Sequence, residues 1–99
     1  MTIYCCFNFC MFSVHVSIYG LVQGVGYRRW LKMNCDKNNL FGWTRNSSDG
    51  SVECFFQGDR EKINTFLILC WEGPENSEVE DILEKEGKKE ETLNSFEIL

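Results

Sequence analysis

The sequence predicts an α+β fold, two helices on one face of a mostly antiparallel sheet, and three observations carry that expectation. Apolar and polar side chains alternate over residues 12–19, and those of residues 59–70 recur every three to four positions. The segments also follow one another as strand, helix, strand, strand, helix, strand, with a last short strand at the end. Ninety-nine residues, 43% hydrophobic and 25% charged, suit one domain built around one core.

Each element has a local reason. Phe12, Val14, Val16 and Ile18 share one side of the first strand, with Ser13, His15 and Ser17 on the other. After a glycine-rich turn, Tyr27, Trp30, Leu31, Asn34, Cys35 and Asn38 recur at helical spacing. That helix should stop near Asn38-Asn39, since asparagine tolerates the left-handed conformation that ends helices. Residues 40–46 and 51–57 read as two strands joined around Asp49-Gly50, a hairpin signal that makes them antiparallel. Asp59 is placed to cap a second helix whose stripe is Ile63, Phe66, Leu67 and Cys70, with Lys62, Asn64 and Thr65 facing water and Gly73-Pro74 ending it. Residues 79–83 make a fourth strand and residues 96–99 a fifth, with a polar, charged loop over 84–93 between them. Two crossover helices of this kind give the split-βαβ or ferredoxin-like sandwich βαββαβ, extended by a fifth strand at the C-terminal side.

The charge balance narrows the partners. A net charge of −5 and a pI near 4.8 argue against nucleic acid, whose phosphates are met by clustered Lys and Arg. An RNA-recognition sheet also needs a basic, aromatic third strand, whereas residues 51–57 carry Glu53 and no base. Six cysteines occur without a Cys-x-x-Cys pair, so Cys35, Cys54 and Cys70 are expected as reduced core thiols in a reducing, cytoplasmic setting. A redox or disulfide role is reserved for Cys5, Cys6 and Cys10. Residues 1–12 are apolar but have neither a basic start nor a small-residue cleavage site, and the run is too short to span a membrane.

The chemistry concentrates in Gly20-Leu21-Val22-Gln23-Gly24-Val25-Gly26-Tyr27-Arg28. A β-branched run stops at glycines that let the backbone approach a ligand, and the turn delivers a guanidinium at a helix start. Arg28 is the first charged residue of the chain. A Walker A loop would need a Gly-Lys-Ser/Thr ending, and a dinucleotide fingerprint would need a third glycine where Arg29 stands. Both fail, and what remains is enough to hold one phosphoryl group.

Those nine residues, together with Gly42-Trp43-Thr44-Arg45-Asn46, Asp49-Gly50-Ser51-Val52-Glu53, Gly73-Pro74 and Phe96-Glu97-Ile98, resemble the acylphosphatase family in order and interval. The resemblance covers residues 12–99, and Asn46 follows Arg28 by 18 positions, as the family pattern requires. It implies a five-stranded sandwich that hydrolyses the mixed anhydride of a carboxylic acid and phosphate, as a monomer and with no metal or cofactor. It also implies that Arg28 and Asn46 are catalytic and that Gln23, Gly24, Val25, Gly26 and Tyr27 form the substrate-binding loop. The residue types suit those roles. Arginine is permanently charged and forked for phosphate oxygens, and an asparagine amide can orient a water without titrating.

Other residues are weighed against the same pattern. Arg29 and Arg45 are read as surface charges able to steer an anion, and His15 as a strand residue with no catalytic part. Trp30, Trp43, Phe55, Phe56 and Phe66 are read as packing. The chain departs from the family at Cys35, Asn38 and Asn39, which points to a weaker first helix. Residues 1–11 are read as an N-terminal extension preceding the domain of residues 12–99, with Met11 a candidate start. Two competing classes are a non-catalytic binding or accessory module on the same fold, and a cysteine-based metal or redox carrier. Retention of Arg28 and Asn46, with the chain ending directly after the fifth strand, favours a stand-alone enzyme over the first, and the second lacks a Cys-x-x-Cys pair on the first loop.

Overall fold

The structure is a computed structural model that describes residues 11–88 and 93–99. Strand β1 (Met11–Leu21) leads into helix α1 (Tyr27–Lys37), followed by β2 (Phe41–Asn46), β3 (Val52–Asp59), α2 (Arg60–Cys70), β4 (Glu78–Glu86) and β5 (Phe96–Ile98). The sheet order is β4-β1-β3-β2-β5. Strand β3 pairs antiparallel with both β1 and β2, which therefore run parallel to each other with β3 between them. Strand β4 adds antiparallel to β1, and β5 adds parallel to β2. This is the two-helix, five-strand ferredoxin-like sandwich that the sequence predicts.

The core lies between the helices and one face of the sheet. Val14, Val16 and Ile18 of β1 and Val52, Cys54 and Phe56 of β3 point into it, as period-two alternation requires. Tyr27, Leu31 and Cys35 supply the buried stripe of α1, and Ile63, Phe66, Leu67 and Cys70 that of α2. Each large apolar side chain removed from water there contributes about 1.5–3 kcal/mol. Helix α1 covers β2 and β5, and α2 covers β1 and β3. The Lys32 ammonium donates to the Phe96 carbonyl at 2.8 Å, tying α1 to the edge strand.

Both helix ends follow the sequence signals. Asn39 takes a left-handed φ of 56° just after α1, and the Asp59 carboxylate accepts from the Lys62 N–H at 3.1 Å at the start of α2. Helix α2 stops at Cys70, and the Gly73 N–H closes its end on the Leu69 carbonyl at 3.0 Å.

Three strands run two or more residues past their expected ends. Strand β4 runs to Glu86, through the first part of the expected loop. Its Glu84, Lys85 and Glu86 are exposed and charged, so no apolar alternation marks them, yet β1 supplies hydrogen-bond partners as far as Val14 opposite Glu86. Strand β3 continues to Asp59, which faces Met11 across the ladder and also caps α2. Gly20 belongs to β1 rather than to the turn: the ladder continues past a bulge at Tyr19 and Gly20. The turn therefore starts only after Leu21. Residues 1–10, with Cys5, Cys6 and Cys10, lie outside the described residues, as do 89–92 of the expected loop.

Candidate active site

The turn between β1 and α1 is built by backbone conformation. Gly24 and Gly26 hold φ of 77° and 82°, a region in which an L side chain is strained. The pair bends the chain so that α1 starts facing a cavity of about 320 Å³. Val22, Gly24, Gly26, Tyr27, Arg28, Arg29, Asn46 and Ile98 line that cavity. The start of α1 has no side-chain cap, and its first backbone bond is from the Trp30 N–H to the Gly26 carbonyl at 3.1 Å. The N–H groups of the first helical residues thus have no intrahelical acceptor, and they carry the positive end of the helix dipole.

Two of the chain's arginines differ in how they are engaged. The Arg45 guanidinium donates to Glu53 at 2.9 Å and lies 5.3 Å over the Trp43 ring. Arg28 makes no ion pair or side-chain hydrogen bond among the described residues, and it lines the cavity half-buried. An unpartnered guanidinium beside unpartnered N–H groups has the donors and the charge to hold an anion.

Asn46 reaches the same cavity from the end of β2. Its strand partner is Val52, and beyond it the Ser47 N–H donates to the Ser51 carbonyl at 2.8 Å. The Asp49 carboxylate accepts from the Ser51 hydroxyl at 2.6 Å and from its N–H at 2.9 Å, bonds that hold its pKa below the ordinary value. The hairpin is therefore tied internally just past Asn46.

The structure sorts the seven residues singled out in the sequence. Gly24, Gly26, Tyr27, Arg28 and Asn46 come together around the cavity, while Gln23 and Val25 do not line it. Tyr27 is only 1% exposed, and its hydroxyl donates to the Cys70 carbonyl, so its ring anchors α1 in the core. The Gln23 amide donates to the Ser47 and Ser51 carbonyls at 2.8 and 2.9 Å. Sequence reasoning missed Val22 and Ile98, which are far apart in the chain and carry no polar signal. It also left Arg29 as a surface charge, whereas Arg29 is exposed and lines the cavity as well.

The titratable competitors sit elsewhere. His15 packs on Phe55 at 4.8 Å and on Trp43 at 5.9 Å, on the sheet face away from the helices. It borders a hollow with Ser17, Glu53 and Lys85 that shares no residue with the Arg28 cavity. Cys35, Cys54 and Cys70 are free and buried. Burial pushes the Cys54 thiol up to about 12 and raises those of Cys35 and Cys70 as well, which keeps them protonated and poor nucleophiles.

Fold and cavity together define a small α+β domain with an arginine-lined cavity between a helix start and a hairpin. Comparison with known proteins gives the family. The acylphosphatase family model matches residues 14–98, and the chain belongs to that family. It is 38% identical over 81 residues to an acylphosphatase of Alcanivorax borkumensis, covering 82% of this chain and 88% of that one. The crystal structure of the Bacillus subtilis acylphosphatase superposes with a TM-score of 0.84 at 32% identity, over 90% of this chain and 98% of the other. A full-length HypF structure in a phosphate- and nucleotide-bound form superposes with a TM-score of 0.82 at 27% identity, over 90% of this chain but 12% of that one. The chain is accordingly a hydrolase of acyl phosphates. No helix among the described residues is long and apolar enough to cross a membrane.

Proposed function

We propose that Arg28 and the backbone N–H groups of residues 24–29 bind the phosphoryl oxygens of an acyl phosphate while Asn46 orients the attacking water. The observation that carries this reading is the shared cavity: an unpartnered arginine, two glycines of positive φ, a helix start and Asn46 face the same space. Water attacks phosphorus from the side opposite the acyl oxygen, the bond from phosphorus to that oxygen breaks, and the carboxylate leaves. The water's proton passes to an oxygen of the transferred phosphoryl group. Neither Arg28 nor Asn46 acts as a base. Their contribution is position and stabilisation of charge on the equatorial oxygens, the two effects that dominate phosphoryl transfer.

A carboxylate is a weak base and leaves readily, and the guanidinium with the helix start supplies positive charge. The reaction in this reading needs no metal or cofactor. The three free buried thiols among the described residues fit a reducing cytoplasm.

Hydrolysis of benzoyl phosphate by the parent and by Asn46→Ala, with EDTA present, tests the scheme. The parent should turn over at an undiminished rate in EDTA, and Asn46→Ala should lose about 10²-fold or more in kcat, the usual cost of removing one transition-state contact. Activity that EDTA abolishes, or an Asn46→Ala variant as fast as the parent, would overturn it. The likeness to one segment of HypF favours a second reading, a non-catalytic acylphosphatase-like module. Saturable phosphate binding without turnover in the parent would establish that one instead.

A further inference from the structure

We propose that Gln23 is a positioning residue that fixes Asn46 against the phosphoryl-binding loop, an inference that rests on the role given above to Asn46. The two halves of the site belong to different parts of the chain: Arg28 is carried by α1, and Asn46 by the end of β2. Gln23 stands at the seam. Its amide nitrogen donates to the Ser47 carbonyl at 2.8 Å and to the Ser51 carbonyl at 2.9 Å. Those carbonyls stand at the two ends of the β2–β3 connection, and Ser47 directly follows Asn46. Among the described residues no other side-chain hydrogen bond joins the turn of residues 22–26 to the hairpin.

The bonding leaves Gln23 poorly suited to hold substrate through its side chain. An amide NH₂ has two donors, and two carbonyls take both. What remains is the carbonyl oxygen, an acceptor that a phosphoryl oxygen would repel. Asn46 itself is exposed and makes no side-chain hydrogen bond among the described residues, so its place relative to Arg28 is set by the backbone of the hairpin. A shift of about 1 Å at a reacting group is enough to cost on the order of 10²-fold in rate. A part-buried amide bridging two loops is therefore a contact through which turnover, rather than binding, is controlled.

The test is steady-state hydrolysis of benzoyl phosphate, with inorganic phosphate as a competitive probe, in the parent, Gln23→Met, Asn46→Ala and the double variant. Methionine keeps the length of glutamine and removes both donors. Gln23→Met is expected to lower kcat about 10- to 100-fold while KM and the phosphate inhibition constant move less than about threefold. Placed in the Asn46→Ala background, it should lower kcat less than about threefold further, because the group it positions is gone. If Gln23→Met fails to fold, judged by circular dichroism, Gln23→Leu is measured in its place, since it too lacks the paired donors and adds no charge.

An unchanged kcat, a phosphate inhibition constant that rises in step with lost kcat/KM, or full additivity with Asn46→Ala would overturn the proposal. An inactive parent, or an Asn46→Ala variant as active as the parent, would remove the reading of Asn46 and the proposal with it. An active parent and an impaired Asn46→Ala, with Gln23→Met unaffected, would remove the proposal alone.

Discussion

The two helices are of equal length, eleven residues each, and pack on the same face of the sheet, yet they begin in opposite ways. Helix α2 starts with a side-chain cap from Asp59 and an acidic residue, Glu61, in its first turn. Helix α1 starts at Gly26 with no side-chain cap and no acidic residue to offset Arg28 and Arg29 in its first turn, whereas Asp59 and Glu61 offset Arg60 and Lys62 in α2. A cap contributes about 1 kcal/mol, and a favourable charge at a helix end about 0.3–1 kcal/mol. By both measures α1 begins less favourably than α2. Unbonded donors and like charge at a positive helix end cost stability, and in the function proposed above the same features bind the phosphoryl group. In that reading, stability and function occupy the starts of different helices.

The largest effect separates the arginines of the two starts. Arg28→Gln should reduce kcat/KM for benzoyl phosphate on the order of 10³-fold, the scale of arginines that stabilise a transferring phosphoryl group. Arg60, at the start of α2, lies 4.5 Å over the Phe12 ring. Arg60→Gln should leave kcat/KM unchanged and cost about 0.5–1 kcal/mol in urea unfolding through the lost cation–π contact. Equal losses of activity in the two variants would mean that the contrast between the helix starts does not describe the site.

Inorganic phosphate should complete the start of α1 as Asp59 completes that of α2. At about 100 times its dissociation constant it should raise the unfolding free energy by about 2.7 kcal/mol, and this gain should vanish in Arg28→Gln. A thermal unfolding series in phosphate and in an equal ionic strength of chloride separates the site from general screening. The next effect belongs to Gly26. A Cβ there would meet nothing within 4 Å, so Gly26→Ala is opposed by its φ of 82° alone, at a cost of about 1–2 kcal/mol. If Gly26→Ala is as stable as the parent in urea, the conformation is not what holds the turn open.

The sequence makes the capped start easier to read than the uncapped one. Asp59 ahead of an apolar stripe is a local signal, and the alternation in β1 and the Asp49-Gly50 hairpin are local too. Strand β4 was legible only in part, because Glu84 to Glu86 are strand by virtue of β1 beside them and have no pattern of their own. In the site, the glycines, Arg28 and Asn46 were visible from their types and interval. The lining by Ile98 and Arg29 was not, since it depends on where β5 docks beside β2 and on how α1 is rotated. The bonds of Gln23 were equally hidden: the sequence puts it in the loop, but the carbonyls it meets lie 24 and 28 positions away.

The smallest effect is the control for the rest. Asp59→Ala removes the acceptor of the Lys62 N–H and should destabilise the fold by about 1 kcal/mol in urea unfolding. Its charge is also lost from the positive end of α2, so part of that change should weaken as salt rises. Asp59 sits opposite Met11, at the other end of β1 from Leu21 and the turn that follows it, and it lines no part of the Arg28 cavity. Turnover of benzoyl phosphate by the folded variant should therefore match that of the parent. If Asp59→Ala lowered kcat as well, the start of α2 would be coupled to the site through the sheet. The assignment of stability to one helix start and chemistry to the other would then fail.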